Sequence, residues 1–315
     1  MNAYMAGATI ERSGFGYAFF TFTCFGVTNF LLGVIAEQAT AADQVVLVAP
    51  VVLWLGTGLL GLAFLLSPRG KSLWRKAVSN PGHFWMAAAA GVCLALGMLT
   101  LKLGFLADPA SKGPITAVTA ANAVVVALLV RFLLRERLLW PQWGGILVTV
   151  AGISVMALSA GGGNALRGLG YGVITLTCFG ITNTVLKLLG HRGMPSMSAA
   201  ITIWLAVGAC GAFGIVVATV TGPNIFQLKP IYLLPAALVA GLSLGAGMWS
   251  LKRGVTVGRA GPVTAIAGAN AWLVTVLDLL AFRHFPSPLK LTGMVIALIG
   301  VAFLALSMPR RGFRG

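Results

Sequence analysis

The chain has 315 residues, of which 58% are hydrophobic and only 9% are charged, with 22 lysines and arginines against 6 aspartates and glutamates. A soluble domain carries roughly 25% charged residues, so this chain lacks the polar surface that it would need in water. Its mean hydropathy of +0.94 indicates that its solvent is a lipid bilayer. The positive charge does not indicate nucleic-acid binding, because the basic residues follow the positions of the connections between apolar stretches.

Ten apolar stretches have the length of about 20 residues that a helix needs to cross the hydrocarbon core. Short connections join them, and no soluble domain fits in what remains. The sequence therefore predicts an all-α integral membrane protein with ten transmembrane helices. These lie near 15–36, 45–66, 84–106, 114–133, 139–159, 168–189, 198–220, 231–251, 262–282 and 289–307.

The two halves of the chain repeat each other. TFTCFGVTN at 21–29 returns as TLTCFGITN at 175–183, and GPITA at 113–117 returns as GPVTA at 261–265. We therefore divide the chain into two five-helix repeats, at 14–160 and 168–308. Because five is an odd number, the second repeat is expected to be inverted in the membrane relative to the first. Inverted repeats are typical of carriers whose substrate site lies between the halves.

The basic residues predict the orientation of the ten helices. Most of the 22 lysines and arginines fall in the connections on the same side as the N-terminus, with a dense group at 69–76. Cytoplasmic connections are the ones enriched in lysine and arginine. Both termini are therefore expected in the cytoplasm.

Asparagines inside the predicted spans are the main candidates for a substrate path, since a polar group in the membrane costs free energy unless it is paired or hydrated. Asn122 and Asn270 match each other between the repeats and lie near the middle of their spans. Asn29 and Asn183 also match, and are displaced toward opposite surfaces. An amide can donate and accept hydrogen bonds at once. We predict that the four line the path; hydrogen bonding between helices is the alternative for each.

Two lysines and two tryptophans complete the predicted substrate-binding set. Lys102 and Lys252 match each other near span ends, where they either snorkel to the interface or offer positive charge to an anionic substrate. Trp249 and Trp272 lie inside spans, where the indole N–H needs a partner. They either face a wet cavity or pack against lipid and other helices.

Asp278 is the one acidic residue plainly inside a predicted span, and Glu37 stands at a helix end. A proton-driven exporter of cations needs a buried carboxylate that binds the proton and the substrate in turn. Because Asp278 has no acidic counterpart in the first repeat, it gives little support to that mechanism. Arg283, five residues further on, is a candidate structural partner, although this spacing is imperfect for a helix.

The sequence contains no pattern typical of catalysis or of a metal site. His83, His191 and His284 lie far apart in predicted loops, without a nucleophile context or the spacing of metal ligands. A phosphate-binding loop of the Walker type is also absent from the sequence. We therefore expect no enzyme activity, no cofactor and no nucleic-acid partner.

The arrangement of ten spans in two five-helix repeats resembles the drug/metabolite transporter superfamily, and specifically its EamA branch, over residues 14 to 308. The local match comprises LKLG at 101–104, RERL at 135–138, and Gln142, Gly145 and Gly152 in the fifth span. This is similar to the family pattern of a span end like Ala-Leu-Lys, a Glu-Arg loop and a fifth helix with glycines. The chain departs from the pattern at Asn122 and Asn270, near which the family often has Glu-Pro.

The resemblance implies a secondary carrier in a bacterial-type inner (plasma) membrane, with a cavity formed mainly by spans one, three, four, six, eight and nine. Relatives move amino acids, sugar phosphates, nucleotide sugars or cationic drugs. We expect export or exchange of a neutral, zwitterionic or anionic solute, such as an amino acid, by alternating access. The alternatives are a proton-coupled exporter of cations, a carrier of lipid-linked substrates, and a non-transporting subunit or scaffold. A monomer, a homodimer and membership of a larger complex all fit the sequence.

Overall fold

The computed structural model describes residues 2–38, 45–135, 138–159, 163–221, 232–257 and 260–307, with side chains at 14–38, 48–135, 138–159, 163–220, 232–257 and 262–307. Apart from one short 3-10 helix at Pro109–Ser111, the regular structure in these ranges is α-helical. The α-helices are α1 Asn2–Gln38, α2 Val45–Leu66, α3 Pro68–Val78, α4 Pro81–Ala107, α5 Lys112–Ala120, α6 Asn122–Leu134, α7 Trp140–Leu158, α8 Gly163–His191, α9 Ser196–Thr221, α10 Leu233–Val257, α11 Ala260–Gly268, α12 Asn270–Phe282 and α13 Pro288–Leu306.

Ten stretches of the described residues are long and apolar enough to cross a membrane, which confirms the predicted number. The fourth and ninth candidate spans each contain two α-helices, α5 with α6 and α11 with α12. The short helix α3 is not a span; it joins α2 to α4 at one end of the bundle. The chain is thus an all-helical, multi-pass membrane protein in the part that the structure describes.

Proline after a capping residue marks the start of several helices. Ser67 caps α3 by accepting a hydrogen bond from the Gly70 amide, and Asn80 caps α4 by accepting one from the His83 amide. A proline follows each cap, where its missing N–H would have no helical partner in any case. The turn from α2 through α3 to α4 is therefore fixed by local sequence.

Two breaks interrupt the fourth and ninth candidate spans at corresponding positions. The regular helix stops at Ala121 and at Ala269, and a new helix begins at the asparagine that follows each. The Ala121 amide donates to the carbonyl of Val118, three residues back, instead of four. The sequence predicted each of these spans without the break.

Close contact between α7 and α13 depends on glycine. A Cβ at Gly145 would lie 2.7 Å from the Leu304 amide nitrogen, and one at Gly293 would lie 2.8 Å from the Met156 amide nitrogen. Such distances leave no room for a side chain, so the close approach of the two backbones depends on these glycines. Gly145 and Gly152 on α7, like Gly293 and Gly300 on α13, are seven residues apart, so both glycines of each helix lie on the face that makes this contact.

Threonine hydroxyls join α1 to α10 and α8 to α4 at positions that correspond in the sequence repeat. Thr28 donates to the carbonyl of Ala240 over 3.1 Å, and Thr182 donates to the carbonyl of Ala90 over the same distance. Each bond links a helix in one half of the chain to a helix in the other. The core therefore lies between the halves.

Candidate functional site

Two asparagine pairs link the halves of the chain at the breaks of the interrupted spans. Asn29 on α1 donates from Nδ2 to Oδ1 of Asn270, the first residue of α12, over 3.0 Å. Asn183 on α8 donates in the same way to Asn122, the first residue of α6, over 3.1 Å. The four predicted asparagines thus come together two by two.

The second asparagine of each pair also bonds to the backbone at the break. Asn270 donates from Nδ2 to the carbonyl of Ala267 over 2.7 Å, and Asn122 donates to that of Thr119 over 2.8 Å. In this conformation the amides therefore act as bonds between helices, which is the alternative that the sequence left open. Each pair brings together two amides, and each amide can both donate and accept hydrogen bonds.

The two asparagine pairs differ in their access to solvent. Asn29 and Asn270 are both buried, with 8% and 6% of their surface exposed. Asn122 and Asn183 are half-buried. The Asn29–Asn270 pair is therefore the more deeply buried of the two.

The predicted lysines and tryptophans have different surroundings from one another. Lys102 on α4 is fully buried, whereas Lys252 on α10 is half-buried and donates to the carbonyl of Ser196 at the start of α9. Trp249 is half-buried against Tyr17, with the two rings edge to face at 6.0 Å. Trp272 is 42% exposed on α12.

A cluster of charged side chains that sequence reasoning missed closes one end of the bundle. Lys112, the first residue of α5, is fully buried with its Nζ 2.8 Å from Oε2 of Glu37 and 2.6 Å from Oδ1 of Asp278. The same ammonium lies 4.2 Å from the centre of the Phe282 ring, within reach of a cation–π interaction. The cluster joins α1, α5 and α12.

The predicted pairing of Asp278 with Arg283 is wrong, because the partner of Asp278 is Lys112. Arg283 follows the last residue of α12, where it adopts a left-handed conformation with φ of 56°, and it is exposed. The helix has therefore ended before Arg283 could reach back along its own face. Lys112, which the sequence placed in a loop before the fourth span, instead begins α5.

His284 lies across the two carboxylates of the cluster. Its Nε2 is 3.6 Å from Oε1 of Glu37 and its Nδ1 is 3.7 Å from Oδ2 of Asp278, both longer than a hydrogen bond. The ring stacks on Phe282 with an interplanar angle of 21°. Nδ1 is buried and has no hydrogen-bond partner among the described residues. No group of His, Cys, Asp and Glu in the described ranges has the arrangement of a metal site.

A second ion pair strengthens the same end. Lys290 in the first turn of α13 donates to Oδ2 of Asp108 and to Oγ of Ser111, each over 2.6 Å. The aliphatic stem of Lys112 passes over Gly33 of α1, where a Cβ would lie only 2.7 Å from Cδ of the lysine. We call Glu37, Lys112, Asp278 and His284, with the Lys290–Asp108 pair, the charged end.

The sequence repeat has no second charged end. The positions that correspond to Glu37, Lys112 and Asp278 are His191, Ala260 and Val130, and Lys187 stands where the first repeat has Gly33. The second repeat therefore lacks the charges of the charged end at the corresponding positions.

A large apolar groove lies away from the asparagines. It has a volume of about 840 Å³ and its walls are formed by α2, α3, α4 and α9. The asparagines, lysines and tryptophans that the sequence singled out do not line it. Its aromatic lining residues are Trp54, Trp74, Phe84, Trp85 and Phe213.

The fold defines a class, that of multi-pass helical membrane proteins with ten candidate spans. No model of a protein family matches the chain, and no curated protein matches its sequence significantly. One solved structure, described as "Crystal structure of protein", is similar over 95% of this chain and 99% of its own, with a TM-score of 0.61 and 18% identity. At this identity the similarity shows a shared fold alone.

Proposed function

We propose that this chain is a secondary transporter of small metabolites that works by alternating access between two inverted five-helix repeats. In this proposal it resembles the EamA branch of the drug/metabolite transporters and lies in the inner (plasma) membrane with both termini in the cytoplasm. The observation that carries the proposal is the pair of hydrogen bonds Asn29–Asn270 and Asn183–Asn122. Each joins the break of an interrupted span to the first helix of the other half.

Interrupted spans support a carrier because helix breaks inside a membrane are tolerated only where protein or a water-filled cavity satisfies the backbone. Many transporters place their substrate site at such breaks, between related halves. Here the breaks follow Ala121 and Ala269, and an asparagine begins the next helix in both cases. Opening an asparagine pair would present uncharged donors and acceptors to a polar solute.

The charged end provides the closed side of an alternating-access cycle. A state open at this end requires Lys112 to separate from Glu37 or Asp278. Breaking a buried ion pair while it stays dry costs about 3–5 kcal/mol. Water must therefore enter the cluster as it opens, and the resting carrier favours the state in which this end is closed.

The proposal favours a neutral, zwitterionic or anionic solute over a cation. The carboxylates Glu37 and Asp278 already hold a tethered ammonium, that of Lys112, at 2.8 and 2.6 Å. A cationic substrate would have to compete with that tethered group. The asparagine pairs carry no net charge, and their amides offer both hydrogen-bond donors and hydrogen-bond acceptors.

The test is a thermal-shift screen of the detergent-purified protein against amino acids, phosphorylated sugars, nucleotides and organic cations. A ligand at about 100 times its Kd stabilises the folded state by about 2.7 kcal/mol. We expect one class of solute to raise the Tm, and the effect to be lost in the double variant Asn122→Ala/Asn270→Ala. Asn164→Ala, an exposed asparagine near the start of α8, is the matched control and should keep the shift.

Two results would count against the proposal. If no class of solute shifts the Tm, a scaffold or another membrane role becomes the better explanation. If a shift survives in the double variant, the solute binds elsewhere and the asparagine pairs are structural bonds only.

A further inference from the structure

The apolar groove extends along much of the bundle. Val48 near the start of α2 and Val217 near the end of α9 line one part, and Trp85 near the start of α4 lines the opposite part. A volume of 840 Å³ lies within the range of about 300–1,000 Å³ typical of pockets that bury a ligand. Because the walls are apolar, hydrocarbon is the chemistry that they fit.

Three aromatic rings lie together at the end of the groove where α4 begins, and we call them the aromatic collar. Trp74 of α3 meets Phe84 edge to face at 5.7 Å, and Phe84 meets Trp85 in the same way at 5.3 Å. All three line the groove. Tryptophan is enriched at the level of the lipid headgroups, and two of these three rings are those of Trp74 and Trp85.

Helix α3 places a basic surface beside that collar. Gly70 and Ala77 are buried on its inner side, whereas its four cations are exposed on the outer side. Its sequence contains no acidic residue, and no ion pair among the described residues involves its cations. The four are Arg69, Lys71, Arg75 and Lys76.

Trp74 lines the groove, so its position on α3 indicates which cations of this helix lie nearest to the groove. At 3.6 residues per turn, Lys71 and Arg75 lie about 60° and 100° around the helix from Trp74. Arg69 and Lys76 lie about 140° and 160° from it, on the far edge of the same helix. Lys71 and Arg75 are therefore the cations closest to the mouth of the groove.

We propose that this groove binds an anionic phospholipid, with an acyl chain along α4 and α9 and the phosphate at Lys71 and Arg75. Clusters of lysine and arginine on an amphipathic helix at the membrane surface attract anionic lipids. The aromatic collar lies between the phosphate site and the acyl-chain groove. Tryptophan side chains occupy the same level in a bilayer, between the headgroups and the acyl chains. The binding does not depend on transport.

The groove holds a bound lipid and does not carry a headgroup across the membrane. Thr202 contributes a hydroxyl to the lining, and this hydroxyl already donates to the carbonyl of Ser198 over 3.0 Å. A charged headgroup moved past these walls would lose its hydration without gaining partners. This argues against transport of a lipid-linked substrate through the groove.

Native mass spectrometry of the delipidated protein tests the headgroup site. Phosphatidylglycerol and phosphatidylcholine with the same acyl chains are added at equal concentrations, and their adducts are compared. We expect phosphatidylglycerol to bind more tightly, and the double variant Lys71→Gln/Arg75→Gln to lose about 30-fold of that preference, at about 1 kcal/mol per cation. The control Arg69→Gln/Lys76→Gln makes the same charge change on the far edge and should lose much less.

A second pair of variants tests the groove itself. Ala209 lines the groove and is exposed, so Ala209→Phe should fill it and reduce binding of both lipids. Ala212 is equally exposed but is not among the lining residues, so Ala212→Phe should bind as the parent does. The proposal is overturned if the parent shows no preference for phosphatidylglycerol, if both charge variants lose it equally, or if Ala209→Phe has no effect.

Discussion

Lys112 and Asp278 lie 166 positions apart in the chain, yet Nζ of the lysine is 2.6 Å from Oδ1 of the aspartate. One residue begins α5 and the other lies near the end of α12, so their contact fixes the two interrupted spans against each other. Glu37 completes the arrangement from α1, at 2.8 Å. A full positive charge is thereby held in a fully buried place by two negative charges.

Removing the lysine should destabilise the protein strongly. In Lys112→Met the carboxylates of Glu37 and Asp278 remain without their cation, and removal of one partner of a buried pair costs about 3–5 kcal/mol. The double variant Lys112→Met/Asp278→Leu should recover part of that loss, because one uncompensated charge is gone as well. Thermal unfolding in detergent measures both, with the exposed Lys76→Met as control. A Lys112→Met protein as stable as the parent would show that the cluster is hydrated and adds nothing.

Asp278 should be dispensable for solute binding even though it is buried. Asp278→Asn removes a charge from the charged end but leaves the asparagine pairs in place, so the thermal shift produced by the solute class found in the screen should persist. A proton-coupled exporter of cations predicts the reverse, namely loss of binding and of its pH dependence. The comparison of Asp278→Asn with Asn270→Ala, two changes on the same helix, therefore decides between the two mechanisms.

The corresponding asparagines Asn29 and Asn183 should contribute unequally to stability. Asn29→Ala leaves the buried amide of Asn270 without its donor, and an unsatisfied buried polar group costs about 1–3 kcal/mol. Asn183→Ala affects a half-buried pair, where water can replace the lost bond, so the loss should be smaller. Equal losses in denaturant unfolding would mean that both pairs are equally dry.

Local sequence accounts for most of the fold. Apolar length predicted the ten spans, and the sequence repeat singled out the four asparagines that come together in pairs. The breaks at Ala121 and Ala269 were missed because alanine is a good helix former, so no composition signal marks them.

The charged end could not be predicted because its contacts join residues far apart in sequence. Lys112 stands just before a Gly-Pro pair, which suggested a loop, and nothing nearby indicates that its side chain enters the bundle. The one available signal was the difference between corresponding positions, Gly33 against Lys187. That difference has a physical reason only once the stem of Lys112 is seen to pass over Gly33.

The contact of α7 with α13 should be the most sensitive to a single added methyl group. A Cβ at Gly152 would overlap the backbone of Ala297 and would lie 2.7 Å from the carbonyl oxygen of Gly293, so Gly152→Ala must push the helices apart. Overpacking of this kind typically costs about 1–3 kcal/mol. Gly16→Ala on α1 meets no atom within 4 Å and should be neutral or stabilising, by about 0.5–1 kcal/mol for alanine over glycine in a helix. Thermal unfolding of the two variants separates the helix preference of alanine from the cost of the steric overlap. The helix preference acts in both variants, whereas the overlap acts only in Gly152→Ala. If Gly152→Ala unfolds at the temperature of Gly16→Ala, the two helices are free to move apart without loss, and their glycines are not what holds α7 against α13.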